Sequence, residues 1–481
     1  MTRAVFSSST RLRRVWWPRY WPLLLGFAVG LQAVPSKAVA QSVCAGTEAV
    51  QGQPDSLVAD CDTLMGLKDA LRGAARLDWR TDLPLSYWDG VSITGGRVSA
   101  LDLSGLSRPR LMGRIPAEIG ELTGLTRLNL GSNELTGEIP TELRKLASLT
   151  SLKLNGNDLT GRIPAELGQL TGLAHLDLGF NRLTGGIPVE IGALTGLTYL
   201  DLGPNRLTGP IPAELGNLFR LTDLRLDSNG YHGLTGRIPA ELGQLGRLTF
   251  LHLGNQALTG RIPPELGNLS KLKTLYAYSN RLTGSIPVEL SRLESLSSLD
   301  LTGNDLTGRV PPELSRLNNL FGLYLSGNDL TGTIPPALGG MTNLIQLELN
   351  VNDLTGRIPS ELEKLTKLDR LILYGNRLTG CVPAGLRRFA REGTYQINPQ
   401  RNEIFLPVCA APPEALPSVW ISDASVGEGD SGISELTFSL SRSAADSRRG
   451  RIRYATSGRY GCSWRRLRTD QRSPRVRAFQ D

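Results

Sequence analysis

A 24-residue period runs through most of this 481-residue chain and leaves few ways for it to fold. Leu125-x-x-Leu128-x-Leu130-x-x-Asn133-x-Leu135-Thr136-Gly137-x-Ile139-Pro140 returns as Leu149, Leu152, Leu154, Asn157, Leu159, Gly161, Ile163 and Pro164. The same frame passes through Asn181, Asn205, Asn229, Gln256, Asn280, Asn304, Asn328, Asn352 and Asn376. With a degenerate opening copy at 98–116 there are about twelve units, two of them three residues longer, at 108–110 and 230–233. Self-similarity at such a period marks a stack of identical small units.

Each recurring residue has a mechanical part. Leu-x-Leu alternation is a short strand with leucines inward and the x residues outward. Successive strands then pair in parallel, roughly 4.8 Å apart. The asparagine turns the chain at the strand end, where its amide can bond backbone groups that the turn leaves unpaired. Gly and Pro in Leu-Thr-Gly-x-Ile-Pro punctuate a second, shorter extended segment, and x-x-Leu-Gly-x-Leu closes the coil through a helical turn. One coil cannot bury its leucines, whereas stacked coils share a continuous core. The fold expected is an α/β solenoid.

The consensus with its Leu-Thr-Gly-x-Ile-Pro signature resembles the plant-specific class of leucine-rich repeats. That class is found in plant receptor-like kinases, receptor-like proteins and polygalacturonase inhibitors, and in some bacterial secreted proteins. The resemblance covers about 97–389 and implies a leucine-rich-repeat superhelix: a parallel ladder on the concave face, with short second strands and helical turns elsewhere. Upstream, Cys61-Asp-Thr-Leu-Met-Gly-Leu-Lys68, Leu77-Asp-Trp79 and Trp88-Asp-Gly-Val91 resemble the N-terminal cap of those ectodomains, without the cysteines that usually flank the tryptophan. Cys44–Cys61 is then the pair expected in the cap. At the far end, Cys381 stands in the x position of Gly-x-Ile-Pro and Cys409 follows an irregular stretch, so a Cys381–Cys409 bridge would cover the last open coil. Solenoid ends need such covers because a terminal coil exposes leucines and a strand edge.

The flanks read differently. Within 1–40, a positive stretch with Arg3, Arg11, Arg13, Arg14 and Arg19, an apolar run over 23–33, and Ala38-Val39-Ala40 have the layout of a secretory signal peptide. The apolar run is shorter than the roughly 20 residues of a spanning helix. Beyond a Pro/Ala linker, Val419-Trp420-Ile421-Ser422-Asp423 through Leu436-Thr437-Phe438-Ser439-Leu440 resembles the first half of a Calx-β domain. The Arg-rich stretch after Ser457, back-translated with synonymous codons and read one base later, resembles the missing continuation, implying a frameshift there. In that case Cys462 and the basic tail have no evolved role, and family calcium ligands map at most to Glu428. The organisation expected is 1–40 signal peptide, 41–96 N-terminal cap, 97–389 repeats, 390–411 C-terminal cap, 412–418 linker and 419–481 truncated Calx-β-like segment.

The net charge of +8 resides in the tails. Residues 1–40 carry six basic and no acidic side chains, and 447–481 carry eleven Arg against two Asp, so the intervening body is acidic. A phosphate-binding face needs basic residues clustered on the folded surface, which argues against nucleic acid as a partner. Membrane attachment would come only through an uncleaved signal anchor or a lost C-terminal region. Enzymatic chemistry has no assembled site. Gly429-Asp430-Ser431-Gly432 mimics a protease nucleophile loop but lacks a partnered base. His175, His232 and His252 are dispersed, no C-x-x-C pair suggests a metal, and no cofactor motif occurs.

What varies is the outward row of the strands. It holds His175, Asp177, Phe180, Tyr199, Asp201, Asp223, Arg225, Phe250, His252, Tyr276, Tyr278, Asp300, Tyr324, Glu348, Arg370 and Tyr374. Of the eleven Phe and Tyr between 125 and 389, seven fall in this row, several times a random share. Aromatics mixed with charges are what binding hot spots use, although β-propensity alone also favours them on strands. The expectation is a secreted or cell-surface protein that binds a protein, peptide or glycan on its concave face, with Asp177, Asp201 and Asp223 tuning partner charge. Two alternatives stand beside it: a structural or adhesive protein in which the repeats are a spacer, and an inhibitor of an extracellular glycosidase.

Overall fold

A computed structural model describes residues 42–71, 77–105, 110–230, 233–390, 396–401, 405–409, 419–427 and 435–442. The expected signal segment 1–40, the linker 412–418, His232, Glu428, Cys462 and the basic tail lie outside the described residues.

The chain enters through α1 (Asp55–Ala70), whose Leu57, Cys61 and Leu64 recur at helical spacing and are buried. Thirteen short strands then form one sheet. They are β1 (Val91–Thr94), β2 (Arg97–Asp102), β3 (Arg127–Asn129), β4 (Ser151–Lys153), β5 (His175–Asp177), β6 (Tyr199–Asp201) and β7 (Asp223–Arg225). They continue as β8 (Phe250–His252), β9 (Thr274–Tyr276), β10 (Ser298–Asp300), β11 (Gly322–Tyr324), β12 (Gln346–Glu348) and β13 (Arg370–Ile372). β1 pairs antiparallel with β2 as a cap hairpin, and β2 to β13 run parallel with Leu opposite Leu at every central position. Leu128, Leu200, Leu299 and Leu371 are fully buried, and one core runs from the cap to the last coil.

Polar satisfaction inside that core follows the asparagines. Asn304 accepts from the Leu282 amide at 3.0 Å and donates to the Ala277 and Leu301 carbonyls at 3.0 Å each, tying its own turn to the preceding coil. Gln256 performs the same exchange with the Leu234 amide and the Leu226 carbonyl. Gln400, in the C-terminal cap, takes a further step with the Leu378 amide and Ile397 carbonyl. The Leu373 amide bonds the Gln396 carbonyl, so the ladder extends past β13 into the cap.

The second extended segments form a broken row of short parallel strands, from Met112–Arg114 to Arg377–Leu378. Each coil closes through a 3-10 turn after its proline, as at Ala165–Gln169. Gly168 in that turn fits because a Cβ there would lie 2.4 Å from the Glu190 carbonyl oxygen of the next coil.

Both ends are closed. Cys44–Cys61 and Cys381–Cys409 are disulfides. Trp79 stacks on Trp88 at 5.7 Å, and buried Asp60 takes a two-point grip on Arg97 at 2.8 Å while accepting the Val98 amide at 2.8 Å. The cap is thereby clamped to the first coil. Val419–Gly427 and Glu435–Arg442 pair as an antiparallel hairpin, the described part of the expected β-sandwich segment.

Candidate functional site

The parallel register turns the outward residues into two columns. The first runs His175, Tyr199, Asp223, Phe250, Thr274, Ser298, Gly322, Gln346, Arg370. The second runs Asp177, Asp201, Arg225, His252, Tyr276, Asp300, Tyr324, Glu348. Tyr278 and Tyr374 lie two residues past β9 and β13. Phe180 departs from expectation. It sits in the turn just before Asn181 at φ 53°, 64% exposed, because the asparagine's bonds hold that turn in the left-handed region.

Seven of these side chains merge into one surface. His175 stacks on Tyr199 at 4.3 Å with the rings 5° from parallel. The Arg225 guanidinium follows, 5.6 Å from the Tyr199 ring centre and 4.6 Å from that of Phe250. Phe250 meets His252 and Tyr276 edge-on at 6.0 Å each, and His252 lies 5.5 Å from Tyr278. His252 is held at both nitrogens: Nδ1 lies 3.0 Å from Asp227 and Nε2 3.2 Å from the Tyr278 hydroxyl. Gly254 makes room for this ring, since a Cβ there would fall 2.8 Å from Tyr278. Gly322 likewise lies beneath Tyr324, whose hydroxyl bonds Gln346.

The charges sort into spent and unspent. Asp223 Oδ1 accepts from Nε and Nη2 of Arg225 at 3.1 Å each, so its charge is balanced by a neighbour within the face. Glu348 pairs with Arg370 at 2.7 Å. Asp177, Asp201 and Asp300 have no ion pair among the described residues. Burial, reinforced by the Asp201 charge in register beside it, pushes Asp177 up to about 6. Asp201 and Asp300 are raised for the same first reason, burial. Asp201 is also hydrogen-bonded by the Gly203 amide at 2.7 Å and the Tyr199 hydroxyl at 3.1 Å. Burial, with Lys153 nearby, pulls His175 down to about 4, leaving a neutral ring whose buried Nε2 has no hydrogen-bond partner. Burial alone would raise Asp227, but the His252 hydrogen bond and charge outweigh it and the net shift is downward.

Sequence reading overlooked Asp227, Lys153, Gln346 and the two glycines. The signal for Gly254 and Gly322 was there: a glycine at an outward position, two residues before an aromatic of its own coil or at the same repeat position as an aromatic of the next. Among the described residues, no group of His, Cys, Asp or Glu could hold a metal ion.

Eight stretches, 124–146, 148–170, 172–194, 196–218, 247–269, 271–293, 295–317 and 319–341, match the family model described as Leucine Rich Repeat. Among solved structures, the ectodomain of the Arabidopsis receptor kinase HAESA, in complex with an N-terminal extended IDA peptide hormone, is 30% identical over 69% of this chain and 68% of its own, with a TM-score of 0.50. The chain belongs to the leucine-rich-repeat family. The plant peptide hormone receptor RGFR1, in complex with RGF2, is 40% identical over 57% of this chain and 44% of its own, with a TM-score of 0.56. PEPR1 with AtPEP1 is 31% identical over 73% and 51%, with a TM-score of 0.60. This leucine-rich-repeat chain thus spans about half the length of those two receptor chains. No curated protein matches the sequence.

Proposed function

We propose that this protein is an extracellular ligand-binding solenoid that captures a peptide or protein partner on its concave face. The observation carrying this reading is the joined surface from His175 to Tyr278, half-buried aromatics interleaved with charge over five consecutive strands. Such rings lose little conformational freedom on binding and dominate interface energetics. The two disulfides favour an oxidising compartment. The peptide ligands named for HAESA and RGFR1 support the class of partner. A glycan is a poorer fit, because His175 and Arg225 cover the Tyr199 faces on which a sugar would stack. In the same proposal the hairpin at 419–442 opens a Calx-β-like module and takes no part in capture.

The test is panning of random displayed peptides on the immobilised protein, followed by affinity measurement on the double variant Tyr276→Ala/Tyr278→Ala. Selected peptides should weaken at least about 30-fold, the usual cost of removing a hot-spot aromatic. A selection in which every binder is indifferent to both substitutions would refute concave-face capture.

A further inference from the structure

Resting on that reading, we infer that the ligand is an extended segment carrying two basic side chains about seven residues apart, with an apolar or planar side chain between them. The inference comes from which charges the face has already neutralised. Arg225, the cation in the middle of the surface, is sandwiched between Tyr199 and Phe250 and doubly bonded to Asp223. It has little left to offer an acidic partner.

The carboxylates at the two ends are in the opposite condition. Asp177 Oδ1 accepts the Gly179 amide at 3.1 Å, and its second oxygen has no partner among the described residues. Asp300 Oδ1 accepts the Thr302 amide at 2.9 Å, and no cation is paired with it among the described residues. Asp201, buried and already bonded by Gly203 and Tyr199, adds negative field beside Asp177 without serving as the contact. Lys153 is in register one strand before Asp177 and Arg225 two strands after it; both moderate that field, yet neither forms an ion pair with Asp177. Half-buried carboxylates without a counter-charge are costly in the free protein, and a ligand cation removes that cost.

The spacing follows from the ladder. Asp177 and Asp300 occupy the same column five strands apart. At roughly 4.8 Å per step that is about 24 Å, which an extended chain covers in about seven residues at roughly 3.3 Å each. Between them, Phe250, His252, Tyr276 and Tyr278 form the apolar floor. A peptide lying across the strands therefore meets carboxylate, aromatic cluster and carboxylate in that order.

The experiment uses the full chain and a displayed library of random dodecapeptides, with selected clones resynthesised and sorted by whether Tyr276→Ala/Tyr278→Ala abolishes their binding. Clones that depend on those tyrosines should be enriched in Lys or Arg pairs six to eight residues apart. They should lose about tenfold in affinity to either Asp177→Asn or Asp300→Asn, and weaken with added salt. Norleucine in place of either basic residue should reproduce the loss. Tyrosine-dependent clones lacking the paired bases, or indifferent to both asparagine variants, overturn this inference and leave concave capture standing. A library yielding no tyrosine-dependent clone overturns the capture reading itself, and this inference with it. The asparagine variants are near-isosteric and keep an acceptor for the Gly179 and Thr302 amides, so loss of fold, checked by circular dichroism, does not imitate the result.

Discussion

Replacing Asn304 by alanine removes one rung of the internal ladder while leaving the leucine core untouched. The wild-type side chain accepts from the Leu282 amide at 3.0 Å and donates to the Ala277 and Leu301 carbonyls at 3.0 Å, all of it buried. Alanine orphans the amide, which costs about 1–3 kcal/mol, and deprives two carbonyls of bonds worth about 0.5–1.5 kcal/mol each. The expected loss is about 4 kcal/mol, read as a lowered urea midpoint followed by circular dichroism. Native-state hydrogen exchange localises it: the Leu282 amide should exchange far faster in the variant. Asn304→Asp sharpens the argument. It keeps the acceptor but aims a buried carboxylate at two carbonyls, so it should be at least as damaging at pH 7 and should recover as acid neutralises it. A loss under about 1 kcal/mol, or an aspartate variant insensitive to pH, would refute the view that these amides hold successive coils together.

Other expectations concern charge and closure. With Asp177 at about 6, above the ordinary carboxylate value, the folded chain holds that proton more tightly than the unfolded chain. The group therefore withdraws stability as pH rises from about 4 to about 6. Asp177→Asn should stabilise the protein at pH 7 by about 1 kcal/mol, after allowance for solvent screening, and change nothing at pH 3.5; urea midpoints at the two pH values decide it, and destabilisation at pH 7 would contradict the assignment. The bridges close loops of 17 and 28 residues, so reducing either should cost about 3–4 kcal/mol, seen as a lower Tm under dithiothreitol, and an unchanged Tm would count against their role in sealing the ends. Gly168→Ala should destabilise by at least about 1 kcal/mol in a thermal melt, because the methyl group meets the Glu190 backbone at 2.4 Å; a neutral result would show that neighbouring coils slide freely.

The fold was legible because every coil repeats the same instruction. Leu-x-Leu, broken only at Ala277 among the twelve copies, fixes which side of the strand is inside, and an asparagine in ten copies with Gln256 in another fixes where the chain turns. The cap clamp was not legible: Asp60 and Arg97 are 37 residues apart, and only the packing of α1 on β2 brings them together. Gln400 was hidden by the irregular sequence before it, although it continues the pattern of Gln256. On the outward face of the ladder, the repeat identified which side chains look outward, but not what they do to one another. Asp223 looked available until its neighbour two residues on proved to be a well-placed arginine, and Phe180 looked like a strand residue until the turn before Asn181 lifted it out. Pairings between adjacent coils depend on rotamers and neighbouring gaps such as Gly254, information a strand-by-strand reading does not contain.

Hydroxyl-radical footprinting of the protein, with and without a selected peptide at saturation, tests the central claim most directly. Oxidation of Phe250, Tyr276 and Tyr278 should fall in the complex, while Phe219, 53% exposed in the turn before β7, should be labelled equally in both states. Protection of Phe219 with the three concave rings unchanged would place recognition elsewhere on the solenoid and contradict the account.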